Sequence, residues 1–181
     1  MWPNRGFLDL IDVELPIIQA PMAGANGSAM VIAVSEAGGL GSLPCGMLDP
    51  AKIRGEISII RQKTSKPVNL NFFCHEPPQP DETSEQTWRQ LLATYYEELG
   101  LVGSATVTSV NRAPFNEATC EIVEEYQPEA VSFHFGLPAQ PFVDRVKAAG
   151  CSILASATTV EEARWLENRG CDSVIAQGYE A

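Results

Sequence analysis

Small residues, amides, hydroxyls and one histidine punctuate this sequence at the ends of short apolar runs. The run at 15–20 is followed by PMAGANG at 21–27, and the run at 40–43 by PCG at 44–46. The run at 67–73 carries Asn69 and Asn71, and the run at 130–135 carries His134 and leads into Gly136. Two later runs lead into Ser156, Thr158 and Thr159, and into Gln177 and Gly178. Small residues let backbone N–H groups approach a planar ligand. Amides can pair with the edge of a flat heterocycle. A histidine at a strand end can handle an anion or a proton near neutral pH. Each feature alone is weak, because a glycine-rich turn is usually only a turn. What carries weight is that all of them fall at corresponding places.

His134 needs more than its type to be singled out, since a lone histidine on an apolar strand is more often a hydrogen-bonded core residue. Strand alternation puts Ser132 and His134 on one face, and Gly136 opens the turn beside them. His75 follows Cys74, precedes two prolines and reads as a loop histidine. Phe72, Phe73 and the pair Tyr95–Tyr96 read as packing residues, although the tyrosine pair could also project from the insertion into a substrate pocket. Glu161 and Glu162 read as a helix first turn, where acidic groups oppose the macrodipole without needing a catalytic role.

The elements that would position these residues alternate between strand and helix. Strands are expected at 15–20, 40–43, 67–73, 130–135, 152–155 and 173–176. Helices are expected at 28–37 with Ser28 as N-cap, at 50–63 behind Asp49 and Pro50, and at 116–126, 140–149 and 159–168. Strands that recur about every 20–30 residues through a helix must pair in parallel. The fold class is therefore α/β, and ligands are expected at the carboxyl ends of the strands. A proline-rich insertion at about 75–112 holds a helical segment at 85–100 and a weak strand signal at 101–107; insertions of this kind serve as lids or as solvated excursions.

Composition narrows the function classes. A formal net charge of −11 leaves no basic stripe for nucleic acid. No apolar run reaches the ~20 residues of a membrane span. The N-terminal stretch has acidic residues and no apolar core of a signal peptide, which points to the cytoplasm. The five cysteines have no Cys-x-x-Cys spacing, so reduced thiols and no metal site are expected. No phosphate loop or dinucleotide fingerprint is present.

LPIIQAPMAGANG at 15–27, EAGGLGSLPCG at 36–46, KPVNLNFFCH at 66–75, AVSFHFGLP at 130–138 and CDSVIAQGYEA at 171–181 together resemble the nitronate monooxygenase family, formerly called 2-nitropropane dioxygenase, and most of all its bacterial class I members. The resemblance implies a TIM (β/α)8 barrel holding FMN at the strand mouths, and oxidation of alkyl nitronates such as propionate 3-nitronate by dioxygen to a carbonyl compound and nitrite. It implies backbone at Ala20, Met22, Ala23 and Gly24 against the flavin ring, and Asn71, with Asn69 as the alternative, at the pyrimidine edge. Gln177 and Gly178 would lie on the ribityl and phosphate side, and His134 would hold the nitronate oxygens.

In the family the last motif continues into Gly-Gly-His-Arg-Gly, whose histidine is often assigned as catalytic base. Here the matching stretch ends at Ala181. The expectation is a barrel cut after about six strands, whose 181 residues alone bind FMN poorly and do not turn over. A yellow product that consumes dioxygen with propionate 3-nitronate would contradict this. Three rivals remain: a flavin enoyl-[acyl-carrier-protein] reductase or NAD(P)H:quinone reductase, which NADH would reduce; a non-catalytic remnant; and a complete doubly wound domain, whose strand order would reverse. The oligomeric state is not legible.

Overall fold

A computed structural model describes residues 2, 4–77, 79, 81–101 and 113–178. The chain divides into two compact units, one formed by Met1–His75 with Asn111–Ala181 and the other by Glu76–Val110.

The first unit is built on five parallel strands: β1 (Gly41–Pro44), β2 (Val68–Phe73), β3 (Ala130–His134), β4 (Ser152–Ala157) and β5 (Ser173–Ala176). They pair in sequence order without a reversal, which excludes the doubly wound alternative and matches consecutive units of a (β/α)8 barrel. The register places Asn71 beside Ser132 and Ser132 beside Leu154.

Alternation sorts the side chains by face. Val68, Leu70 and Phe72 of β2, Val131 and Phe133 of β3, and Ile153 and Ala155 of β4 turn to the helices and form the main core. Val31 from helix α2 (Ser28–Glu36) joins them. So do Ile53, Ile57 and Ile60 from α3 (Pro50–Lys63), and Val143 and Val146 from α6 (Gln140–Ala148). The opposite face carries Asn69, Asn71 and Ser132, with a second apolar cluster below them. There Leu8 and Ile11 of the short helix α1 (Gly6–Ile11) cover Leu40, Ala130 and Leu154.

Local chemistry fixes the helix starts. Asp49 accepts from the Lys52 N–H at 2.8 Å, with Pro50 preorganising the first turn of α3. Asn116 and Thr119 cap α5 (Glu117–Tyr126) reciprocally, as Thr159 and Glu162 cap α7 (Val160–Asn168). Gly41 is required where β1 meets α2: a Cβ there would lie 2.3 Å from the Val31 carbonyl oxygen.

Two expectations fail locally. The strand at 15–20 is reduced to a single bridge between Ile18 and Leu40. Pro16 and Pro21 bracket the segment, and the Ile17 N–H turns back onto the Leu15 carbonyl instead of onto a neighbour, so the ladder cannot extend. The described sheet therefore has five strands and not six. Ser28 is the first residue of α2 and not its cap; Gly27 takes that position, and the Ser28 N–H is satisfied by the Glu56 carboxylate at 2.8 Å.

In the second unit, helix α4 (Glu82–Glu98) starts at an Asp81 cap. None of its residues is buried, and Tyr95 is 61% exposed, so Tyr95 is not the packing residue expected of it. Of the strand signal at 101–107, Leu101 has no regular structure and 102–107 lie outside the described residues. Among the described residues no helix is long and apolar enough to cross a membrane.

Candidate functional site

The inner face of the sheet is polar where the strands end. Gln19 and Ser42 exchange bonds, the Gln19 amide donating to the Ser42 carbonyl at 3.2 Å and accepting the Ser42 N–H at 3.3 Å. Asn69 donates to the hydroxyls of Ser42 at 3.0 Å and Ser132 at 2.8 Å. Asn71 donates to the Ser132 hydroxyl at 2.9 Å and the Ser132 carbonyl at 3.3 Å. Ser42, Asn69, Asn71 and Ser132 are all fully buried. The Asn69 Oδ1 is buried and has no partner, which leaves an unsatisfied acceptor at a cost of about 1–3 kcal/mol.

At the carboxyl edge above this ladder, His134 Nδ1 lies 2.8 Å from Ser156 Oγ. Burial pushes the His134 imidazole below its ordinary pKa, so the ring is neutral at pH 7. Both residues line a cavity of about 620 Å³ with Gln177, Thr158, Glu162, Phe135 and Trp165. The volume is that of a typical small-molecule site. The Gln177 N–H continues the ladder onto the Ala157 carbonyl, which fixes where its side chain emerges. Gly178 follows it and is exposed. Glu162 is held below the usual carboxylate range by the Thr158 N–H and hydroxyl and the Thr159 N–H, so its charge is engaged at the start of α7.

The segment of Ala20, Met22, Ala23 and Gly24 is exposed. Asn26, which the sequence reading did not single out, closes this loop: its Oδ1 accepts the Met22 N–H at 2.7 Å and its amide donates to the Ser42 carbonyl at 3.1 Å. Gly24 sits at φ +79 and lines a different hollow of about 510 Å³ with Gly27, Lys52 and Glu56.

The structure thus brings His134 and Gln177 to one cavity and puts Asn71 on the same sheet face. It sets Met22, Ala23 and Gly24 on the neighbouring loop, and Gly24's hollow shares no lining residue with the cavity. Phe135, Glu162 and Trp165 line the cavity although the residue types alone did not announce them. The signal for the last two was available: once Thr159 is taken as N-cap, Glu162 and Trp165 are one turn apart on the same side of α7.

The cysteines belong to the packing. Cys45, Cys120 and Cys151 are buried and Cys74 and Cys171 partly so, all as free thiols. Burial pushes Cys74 up to about 12 and Cys120 up to about 11, so neither is a thiolate at neutral pH. Among the described residues no group of His, Cys, Asp and Glu could hold a metal ion.

Residues 5–181 match the family model described as nitronate monooxygenase. A nitronate monooxygenase of Paraburkholderia phytofirmans is 42% identical over 179 residues, which cover 98% of this chain and 49% of the relative. One from Pseudomonas aeruginosa is 40% identical, with 97% and 50% covered. Among solved structures, a nitroalkane oxidase from Streptomyces ansochromogenes superposes with a TM-score of 0.80 at 35% identity, covering 97% of this chain and 49% of that one. FabK from Thermotoga maritima gives 0.72 at 26% identity, with 100% and 46% covered. The chain spans about half the length of the curated relatives it matches.

Proposed function

Because the chain belongs to the nitronate monooxygenase family, we propose that it forms the cofactor and substrate face of an FMN-dependent enzyme that oxidises alkyl nitronates, such as propionate 3-nitronate, with dioxygen to a carbonyl compound and nitrite. The observation that carries this reading is the cavity shared by His134, Ser156 and Gln177 at the carboxyl edge of a barrel-type parallel sheet, which is where barrel enzymes bind their ligands.

The donor set fits a flavin. Asn71 spends its amide N–H groups on Ser132, so its oxygen is what it offers to a ligand. The unpartnered Asn69 Oδ1 lies one layer below. Both are acceptors, as an imide N–H requires. Asn71, with Asn69 as the alternative, would take the pyrimidine edge. The backbone at Ala20, Met22, Ala23 and Gly24 would lie against the ring, with Gln177 and Gly178 along the ribityl and phosphate side. Bound there, FMN would take electrons from the nitronate and pass them to dioxygen.

The chain's own residues supply binding and orientation. A nitronate is a planar anion with two oxygens. His134, neutral and tied through Nδ1 to Ser156, has Nε2 for the cavity. With the Ser156 hydroxyl donating to Nδ1, Nε2 carries the proton and donates to a nitronate oxygen. A neutral donor orients the anion without an ion pair that the reaction would have to break. A neutral nitroalkane would additionally need a base to remove its α-proton.

The test is turnover by the whole protein supplied with FMN. Dioxygen uptake and nitrite release on adding propionate 3-nitronate, in the absence of NADH, are expected. Bleaching of the flavin by NADH with no nitrite from any nitronate would overturn the reading in favour of a nicotinamide-dependent reductase. We place the protein in the cytoplasm on its five cysteines, which are all free thiols.

A further inference from the structure

Three described residues other than glycine adopt positive φ: Asp12, Gln127 and Phe135. Asp12 and Gln127 end helices α1 and α5, where the left-handed conformation is an ordinary stop. Phe135 ends no helix. It follows β3 at φ +67, and the residue is 67% exposed. A bulky side chain in this region is strained, and no burial of the ring offsets the strain. Gly136 beside it, at φ +95, takes the same region freely.

That conformation places the Phe135 ring at the cavity. Its centroid lies 5.4 Å from that of Phe73 and 6.3 Å from that of His75, both edge-on. Phe73 in turn rests on Gly46, where a Cβ would come within 2.7 Å of the ring. The aromatic group is therefore backed by backbone. The cavity acquires two unlike sides: His134, Ser156 and Gln177 are polar, whereas Phe135, Trp165 and Leu166 are apolar.

We propose that Phe135 is a specificity-determining residue: its ring is the apolar wall on which the alkyl chain of the nitronate lies while the head group meets His134. The proposal rests on the nitronate reading above and goes beyond it by assigning the chain-length preference to one residue. The wall favours longer unbranched alkyl nitronates over ethyl nitronate, by about three- to four-fold per methylene that reaches it.

The experiment uses the whole FMN-loaded protein with the nitronates of nitroethane, 1-nitropropane, 1-nitrobutane and 1-nitrohexane. Phe135→Asn and Phe135→Tyr are compared with the natural protein. Asn tolerates the left-handed backbone, so Phe135→Asn is expected to melt no lower than the natural protein. It is expected to lose the rise of kcat/KM with chain length, the loss being greatest for the nitronate of 1-nitrohexane and smallest for that of nitroethane. Phe135→Tyr keeps the ring and keeps the rise. In parallel, Trp165, on the same cavity, reports binding of straight-chain carboxylates, planar anions that mimic the head group, through its fluorescence. Longer carboxylates are expected to bind more tightly to the natural protein but not to Phe135→Asn. A chain-length series that survives in Phe135→Asn, or a uniform loss on all substrates with a lower melting temperature, overturns the proposal. Carboxylate discrimination that depends on Phe135, in a protein that turns over no nitronate, supports the wall and refutes the nitronate reading.

Discussion

With Ser156 Oγ 2.8 Å from Nδ1, His134 has one ring nitrogen to present to the cavity, and the serine determines whether that nitrogen donates or accepts. Removing the hydroxyl frees the ring to rotate and to change tautomer. Ser156→Ala is expected to raise the KM for nitronates by up to about ten-fold, the worth of one hydrogen bond, with a smaller change in kcat. Steady-state kinetics across pH checks this. The depressed pKa of His134 carries a separate consequence. As pH falls below 6.5 the unfolded chain takes up this proton first, and the folded chain only at lower pH. The contribution to stability is full above 6.5 and is lost as pH falls from there through the folded value. His134→Gln should show a shallower loss of melting temperature over that acid range than the natural protein; parallel curves would show that His134 does not titrate as described. The face of the sheet on which His134 lies was legible from strand alternation with Ser132. The Ser156 contact was not, because it joins residues 22 apart in sequence on adjacent strands. Asn26 was missed for a similar reason: its partners are the Met22 amide and the Ser42 carbonyl, and side-chain identity alone does not reveal backbone partners.

Capped helices were the most legible elements, because a cap is a local bond between residues three apart. Asp49, Asn116 and Thr159 each accept from the backbone three residues on. Asn116→Ala is expected to destabilise the protein by about 1 kcal/mol without changing its spectrum, as read by urea unfolding. Strand edges were less legible. Residues 15–20 have the composition of a strand, but pairing depends on the partner, and two prolines with an inward-turned Ile17 amide leave one bridge. Packing between elements leaves a trace only where a side chain cannot be accommodated. Gly41→Ala would drive a Cβ into the Val31 carbonyl and force α2 away from β1. A cost of about 1–3 kcal/mol is expected, typical of overpacking, and measurable in the same unfolding experiment. Ser132→Ala strips two buried amides of a shared acceptor; a loss of similar size is expected, together with weaker flavin binding because Asn71 keeps only its 3.3 Å bond to the Ser132 carbonyl.

Across the molecule, parallel pairing in sequence order is what turns separate strand ends into one rim. That order follows from the βα repeat, which is why the fold class could be read from the sequence. Which rim residues share a cavity could not: it depends on how far each strand runs and on which helix leans over it. Thus β4 runs to Ala157 and brings Ser156 beside His134, while α7 adds Trp165 and Glu162. The proposed function requires Asn71, His134 and Gln177 to serve the same bound flavin and substrate. Titration of FMN fluorescence with the whole protein tests this directly. Quenching by the natural protein is expected, with binding at least about ten-fold weaker in both Asn71→Ala and Gln177→Ala, near-natural affinity in His134→Gln, and no change in Trp88→Ala on α4. Undiminished FMN affinity in Asn71→Ala and Gln177→Ala, with both variants folded, would contradict it.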